Sequence, residues 1–246
     1  MLETALASGS VQALAWTALL LGFVHSVLGP DHYVPFVMMA RAWRWSWPRT
    51  FVITLLCGFG HVLSSVVIAV LLIGAGTALD EWQGTRWAAV HEVRGAVAAW
   101  ALMGFGAAYS LWGIRKALRG RVHTHAHVHE GGAPHAHAHA HAADHLHVHG
   151  RAARVTPWVL FTVFVFGPCE SLIPLTLAAF ALGGTGAAVV TAGVFTLSTV
   201  ATILVTVGLL LAGLERVPLG PLERWTHALA GASLVACGVA IRFLGL

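Results

Sequence analysis

Apolar stretches of about 20 residues recur along the chain, and the charged residues are concentrated in the segments between them. Each stretch is long enough to cross a hydrocarbon core of about 30 Å as a helix. Hydropathy predicts six such spans, at about 11–40, 50–78, 94–114, 156–183, 186–213 and 225–245. The pattern therefore predicts an all-α integral membrane protein with six transmembrane helices.

The first and fourth spans are too long for one straight helix, and each contains a Gly-Pro pair beside ionisable side chains. The first contains GPDHYVP at residues 29–35, and the fourth contains GPCESLIP at residues 167–174. Proline removes a backbone donor and clashes with the preceding turn, so both spans are expected to break there. Backbone groups freed at mid-membrane are tolerated where they face protein or a water-filled cavity.

The two halves of the chain repeat one order of spans: a broken span, a span rich in glycine, serine and threonine, and a third span. Because each half has an odd number of spans, the second half starts on the opposite side of the membrane and is inverted relative to the first. This arrangement is typical of inverted-repeat transporters, whose site lies at the midplane. The predicted organisation is a three-helix repeat at residues 1–114, a linker at 115–155 and a second three-helix repeat at 156–246.

Composition supports the membrane class, and the distribution of charge predicts the orientation. Charged residues make up 10% of the 246 residues, against about 25% in soluble domains, and the mean hydropathy is +0.77. Lys and Arg are concentrated in the links after the first, third and fifth spans. The positive-inside rule then places these links in the cytoplasm and both termini outside. Positive charge between spans gives no indication of a nucleic-acid partner.

Six ionisable or metal-ligating side chains are expected to meet at the midplane, four from the first half and two from the second. They are His25, Asp31, His32 and His61, with Cys169 and Glu170. The Gly-Pro pairs align in the repeat, and ionisable residues inside a span are functional by default. Imidazole, carboxylate and thiolate together suit a divalent transition metal better than Ca²⁺ or Mg²⁺, which prefer oxygen ligands.

Structural roles stay open for individual members of this set. A histidine within a span, such as His61, is also common as an interhelical hydrogen-bond partner. A buried cysteine, such as Cys169, is also common as a small packing residue. Outside the set, His91, Glu92 and His227 lie near span ends, where they are expected at the membrane interface.

The linker contains eleven of the sixteen histidines, at alternate positions in short runs. They are His123, His125, His127, His129, His135, His137, His139, His141, His145, His147 and His149. The alternation does not match a helical face, and the neighbours are Ala, Gly and polar residues, so a disordered segment is predicted. Imidazole is the commonest metal ligand, which favours a weak metal buffer, with a pH-sensitive tether as the alternative.

These motifs resemble the nickel/cobalt transporter group of the lysine-exporter superfamily, including its urease-accessory membrane proteins. That group has a His, four residues and then Asp-His in an early span. Here His25 is followed by five residues and then by Asp31 and His32. A His-rich cytoplasmic loop between the halves is similar to members that export nickel and cobalt. The resemblance implies a secondary metal transporter in which His25, Asp31, His32 and His61 contact the ion.

Two other branches of that superfamily provide alternative functions. One conducts thiol reducing equivalents across the membrane, as in cytochrome c biogenesis, and resembles this chain in its six spans and in a Pro-Cys element in the fourth. Its mechanism needs two cysteines that meet, whereas Asp31 stands at the position that matches Cys169. Another branch exports small anions such as sulfite, which favour Arg or Lys at the broken helices, and neither is present there.

The sequence therefore predicts a transporter rather than an enzyme, and the chain contains no Walker motif for ATP hydrolysis. No prosthetic group is expected. The predicted substrate is nickel or cobalt, with zinc or copper as further candidates, and protons are the candidate coupling ion. The expected location is a bacterial-type inner membrane, with membrane lipid as a partner. Export is slightly favoured over uptake, because a cytoplasmic histidine tract would gather ions at the inner mouth.

Overall fold

The computed structural model describes residues 2–76, 85–119, 123–127, 135–139, 149–167, 169, 171–218 and 220–244. In these residues the regular elements are α1 (Leu2–Leu28), α2 (Val34–Trp43), α3 (Trp47–Gly74), α4 (Thr85–Arg119), β1 (His123–His127), β2 (His135–His139), α5 (His149–Phe166), α6 (Leu172–Glu215) and α7 (Thr226–Val239). Short 3-10 helices at Pro30–His32 and Gly220–Trp225 precede α2 and α7, and a π-helical turn at Ala240–Leu244 follows α7.

Within the described residues, five helical segments are long and apolar enough to cross a membrane. They are Ser10–Leu28, Trp47–Gly74, Glu92–Arg119, Leu172–Glu215 and Gly220–Leu244. Their outward faces bear large apolar side chains, and Trp16, Leu197 and Leu209 are 65%, 73% and 70% exposed. Such continuous apolar surface indicates contact with lipid rather than water. The prediction of an all-helical bundle with membrane-spanning helices is confirmed at this level.

Helix α6 is too long to be a single span. It has 44 residues, which at 1.5 Å each make about 66 Å, or about twice the hydrocarbon core. Its backbone leaves the helical region at Gly183 (φ −146, ψ 16) and at Gly184 (φ 66, ψ −160). The positive φ at Gly184 is one that residues with a Cβ rarely adopt. The two glycines therefore divide α6 into two parts, near the predicted link between the fourth and fifth spans.

Each segment that precedes a Gly-Pro pair packs against a helix of the other half of the chain. In α1, a Cβ at Gly22 would lie 3.0 Å from the carbonyl oxygen of Phe195 in α6. In α3, a Cβ at Gly60 would lie 2.9 Å from both Phe161 and Val165 in α5. Glycine at these crossings lets the helices approach closely. The ends of α1 and α5 are thereby held inside the bundle, against the opposite half.

Glycines also allow a close antiparallel crossing of α4 and α7. A Cβ at Gly113 would overlap the backbone of Ala228, and one at Gly106 would lie 2.8 Å from the carbonyl oxygen of Gly231. Gly231 itself lies against the backbone of Ser110. The pair is therefore held by direct backbone contact over several turns.

Gly113→Ala is expected to destabilise the protein, because the added methyl group meets backbone atoms that cannot rotate away. Overpacking of this kind costs about 1–3 kcal/mol. Gly104→Ala on the same helix is the matched control, because nothing lies within 4 Å of a Cβ there. Thermal unfolding of the purified protein in detergent should give a lower midpoint for Gly113→Ala only. Equal midpoints for the two variants would contradict the close crossing.

The linker contains regular structure that the sequence did not predict. Strands β1 and β2 pair antiparallel, with His123 opposite His139 and His125 opposite His137. These two stretches, which the sequence predicted to lack regular structure, have the alternating period of a strand. Helices α4 and α5 also shorten the linker from both ends. The remaining linker histidines before α5, namely His129, His141, His145 and His147, lie outside the described residues.

Candidate metal centre

The first site residues lie where α1 ends. Proline disfavours helical backbone in the residue before it, and Gly29 is extended (φ −86, ψ 95). The chain then forms a 3-10 turn in which the amide of His32 donates to the carbonyl oxygen of Gly29 at 3.0 Å. A Cβ at Gly29 would overlap the His32 ring. Glycine is therefore needed for the imidazole to fold back over the break and into the bundle.

His32 meets His61 of α3 in the interior, and the two rings are only 3% and 4% exposed. Nδ1 of His32 lies 3.1 Å from the carbonyl oxygen of Gly29, and Nδ1 of His61 lies 3.1 Å from that of Phe164. A carbonyl oxygen only accepts hydrogen bonds, so Nδ1 carries the proton in each neutral ring. The two Nε2 atoms, 3.4 Å apart, then direct their lone pairs into the same space. A cation between them would remove this repulsion.

The second half of the chain contributes Cys169, which lies in the gap between α5 and α6 and is fully buried. Its Sγ lies 3.7 Å from Nε2 of His25, in the last turn of α1. The ligand atoms of His25, His61 and Cys169 all lie within 4.8 Å of one another. The two helix breaks therefore bring imidazole and thiol groups from both halves to one place.

The closest separations match those between ligands of one tetrahedral ion. Zinc–nitrogen bonds of about 2.0–2.1 Å imply an N···N edge of about 3.4 Å, and a zinc–sulfur bond of about 2.3 Å implies an N···S edge of about 3.6 Å. The corresponding distances here are 3.4 Å for His32 to His61 and 3.7 Å for His25 to Cys169. The group whose ligand atoms lie within 4.8 Å of one another comprises His25, His61 and Cys169 and does not include His32, so the two pairs must move together for a single ion to contact all four residues.

Asp31 lies behind His32 rather than beside the converging nitrogens. Its Oδ1 is 3.2 Å from Nδ1 of His32, the ring nitrogen that faces away from His61. This nitrogen also contacts the Gly29 carbonyl oxygen at 3.1 Å. A carboxylate behind a ligating histidine fixes the ring and raises its basicity. In this arrangement, Asp31 lies against the far side of the His32 ring and also lines the cavity. Its contact with the ion, which the resemblance implies, stays a prediction.

The site opens into a cavity of about 530 Å³. The walls include His25, Asp31, His32 and His61, and the cavity extends to Glu92 and Arg242. At the other end, buried side chains fill the bundle between the site and the Arg-rich links. They include Phe36, Met39, Trp45, Tyr109, Leu160 and Leu211. The cavity therefore extends toward the end that carries Glu92 and Arg242, and buried side chains separate the site from the Arg-rich end.

The structure places four of the six predicted site residues in direct contact and Asp31 immediately behind them. Glu170 lies outside the described residues. A scan against protein-family models and searches of curated proteins and solved structures found no match. The chemical groups at the site therefore provide the basis for a functional assignment.

Two features of the interior were missed from sequence. The carbonyl oxygen of Phe164 fixes His61, but a main-chain acceptor leaves no mark in a residue pattern. His227 was expected at the membrane interface, yet its side chain is only 7% exposed. Its Nδ1 lies 2.6 Å from the hydroxyl of Tyr109, and its Nε2 lies 2.9 Å from Nζ of Lys116. His227 is therefore enclosed between α4 and α7, and its expected position at the membrane interface stays a prediction.

Proposed function

We propose that this protein is a secondary transporter of divalent transition-metal ions that works by alternating access. The observation that supports this most directly is the pair of Nε2 atoms of His32 and His61, 3.4 Å apart and each set by a carbonyl oxygen at Nδ1. Two such lone pairs in a buried place favour a cation as their shared partner. The additional pair of His25 and Cys169 raises the number of available ligands to four.

The ligand types define the class of ion. Imidazole and thiolate bind borderline and soft metals, whereas Mg²⁺ and Ca²⁺ take oxygen ligands almost exclusively. Nickel and cobalt are the first candidates because of the spacing of His25, Asp31 and His32, which resembles that of nickel/cobalt transporters. Zinc and copper suit the same ligands. The wide spacing of the two ligand pairs fits an ion that must be released as well as bound.

The inverted repeat is part of the proposal. The contact of α1 with α6 and the contact of α5 with α3 are equivalent, because each joins the segment before a break to a helix of the opposite half. The crossing of α4 with α7 joins the third helix of each half. If the glycines at 183 and 184 separate two spans, the chain has six in two groups of three. The site then lies where the two broken spans meet at the midplane.

In alternating access, each conformer opens the site to one side of the membrane only, and the cavity of this conformer extends toward one end. The links with most Lys and Arg lie at the opposite end, so the positive-inside rule makes the end toward which the cavity extends the outer one. Moving a divalent cation outward against an inside-negative potential costs about 4.6 kcal/mol per 100 mV. Export, which the histidine linker favours, therefore needs coupling, and inward movement of protons supplies it.

Flux measurements in proteoliposomes test the transport proposal. The purified chain should carry Ni²⁺ or Co²⁺, and should exclude Mg²⁺ and Ca²⁺, when an internal indicator reports metal movement. A second indicator for pH should report proton movement in the opposite direction. Vesicles with His61→Gln protein at equal density are the control. Wild-type protein that moves none of the transition metals under an imposed gradient would overturn the proposal.

Replacing the eleven linker histidines by serine is expected to lower the number of ions bound per chain while transport continues. The linker would raise the local metal concentration without forming the path, so the half-saturating concentration rises and the maximal rate stays. Equilibrium dialysis and the vesicle assay measure the two effects. Serine at the alternating alanines Ala126, Ala136 and Ala138 is the control. Loss of all transport at equal protein density would assign the linker to the path itself.

A further inference from the structure

A second cavity, of about 730 Å³, lies at the Arg-rich end of the bundle and shares no lining residue with the cavity of the metal centre. We call it the basic cavity, because its walls include four cationic side chains against two carboxylates. The cations are Arg41, Arg44, Lys116 and Arg224, and the carboxylates are Glu215 and Glu223. Its volume is within the range of about 300–1,000 Å³ that small-molecule sites have. A bare metal ion needs far less room and would be repelled by this lining.

Both carboxylates of the basic cavity are already engaged. Glu223 accepts from Arg44 at 2.8 Å, and Glu215 accepts from the indole nitrogen of Trp47 at 2.8 Å. Among the described residues, Arg41, Lys116 and Arg224 form no ion pair with a carboxylate. The cavity therefore has an excess of positive charge.

Lys116 is held in place by its neighbours. Its Nζ lies 2.9 Å from Nε2 of His227 and 5.3 Å from the centre of the Trp112 ring. An ammonium group can only donate, so Nε2 of His227 accepts and Nδ1 carries the proton that is shared with Tyr109. One of the three ammonium hydrogens is used in this way, and the others remain for a ligand. A fixed cation with free donors is suited to an anionic oxygen.

The tryptophans give the cavity its position relative to the membrane. Trp43, Trp45 and Trp47 all line it, and indole rings concentrate where the headgroups of a bilayer lie. The side chain of Trp45 is only 8% exposed, and its N–H has no acceptor among the described residues. An indole N–H that is buried without an acceptor costs free energy. An acceptor oxygen in the basic cavity would lower that cost.

We propose that the basic cavity binds a phosphate group, carried by the headgroup of an anionic phospholipid in the leaflet at the Arg-rich end. Basic pockets between transmembrane helices at the cytoplasmic face bind such headgroups in other proteins. The cations at Arg41, Lys116 and Arg224 bind the phosphate, and the apolar side chains of Leu211 and Leu214 line the cavity beside them. The site is independent of metal transport, since neither its residues nor its ligand belong to the metal centre.

Binding is tested with the full-length protein in nanodiscs of phosphatidylcholine alone and of phosphatidylcholine with phosphatidylglycerol. Native mass spectrometry should show phosphatidylglycerol retained on the wild-type protein, and thermal unfolding should shift upward with it. The double variant Arg41→Gln, Lys116→Gln should retain the lipid about 100-fold less, because each of the two charge-assisted contacts removed is worth about tenfold or more. Arg115→Gln is the matched control, because Arg115 neighbours Lys116 on α4 but does not line the basic cavity.

A separate arm distinguishes the source of the phosphate. Inorganic phosphate added to the protein in phosphatidylcholine nanodiscs should leave the unfolding midpoint unchanged if the lipid is the ligand. A shift with inorganic phosphate that the double variant loses would assign the same site to free phosphate. Equal lipid retention by wild type, Arg115→Gln and the double variant would overturn the proposal. If the double variant does not fold, Arg224→Gln alone should show a smaller loss in the same assay, and no loss would count against the site.

Discussion

Replacing His61 by glutamine is expected to abolish tight metal binding while the protein still folds. The glutamine amide can donate to the carbonyl oxygen of Phe164, as Nδ1 of His61 does at 3.1 Å, so the buried acceptor keeps a partner. It offers no imidazole lone pair toward His32 and Cys169. Removing a residue that only supports a metal ligand typically lowers metal affinity about 10–100-fold. Removing the ligand itself should lower it further, so a fall in affinity above about 100-fold is expected.

Isothermal titration of Ni²⁺, Co²⁺ and Zn²⁺ into the purified protein measures this effect, with thermal unfolding as the check on folding. Ser64→Ala is the matched control, because Ser64 lies one turn away on α3 and, within the described part of the chain, its hydroxyl bonds only to the carbonyl oxygen of His61. Wild-type affinity in His61→Gln would mean that His61 is an interhelical hydrogen-bond partner and no ligand. That alternative was left open by the sequence.

Asp31→Asn tests whether Asp31 binds the ion directly or instead positions the His32 ring. Because the carboxylate lies 3.2 Å from the far nitrogen of His32, it is expected to act through that ring. The expected loss of affinity is then about 10–100-fold, smaller than for His61→Gln. Titration of both variants under one condition compares them directly. A loss as large as that of His61→Gln would place the Asp31 carboxylate on the ion.

The end of α1 at the Gly29-Pro30 pair could be predicted because it follows from backbone chemistry. Proline at 30 cannot continue a helix, and the second Gly-Pro pair repeats the first at the matching place. That repeat was sufficient to predict that Cys169 meets the site residues of the first half. The structure places its Sγ 3.7 Å from Nε2 of His25, 144 residues earlier in the chain. The same alignment predicted Glu170 at the site, which stays a prediction.

Other features could not be predicted because they depend on which atoms face each other. The pattern identified Asp31 and His32 as neighbours but not that Asp31 would contact the ring nitrogen turned away from His61. His227 follows Trp225 near a span end, and its burial there depends on the close glycine crossing of α4 and α7, which the residue pattern does not show. The strand pair in the linker could not be predicted because alternating His and Ala is compatible with a strand and with an unstructured segment, and only the pairing of the two stretches distinguishes them.

Cys169→Ala is expected to decide between metal transport and thiol conduction. If the thiolate is one ligand among several, the variant keeps partial metal flux, and its preference moves from softer ions toward those that imidazole alone binds well. Loss of a residue that only supports a ligand lowers metal affinity by at least about 10-fold. Loss of the Cys169 thiolate should lower the affinity for softer ions by at least as much. In a thiol conductor the same change removes all function, because the disulfide that accepts the electrons cannot form.

Cys57→Ala and Cys237→Ala complete the test, because the three cysteines differ in where they lie. All three are thiols that form no disulfide, and Cys57 and Cys237 pack in the large buried cluster, whereas Cys169 packs in a separate one with Val62 and Phe195. A conductor needs a partner cysteine, so one of these two variants would then be as inactive as Cys169→Ala. In a metal transporter both should keep wild-type selectivity at equal protein density. A Cys57 or Cys237 variant that loses function as completely as Cys169→Ala, with folding intact, would reject the metal proposal in favour of thiol conduction.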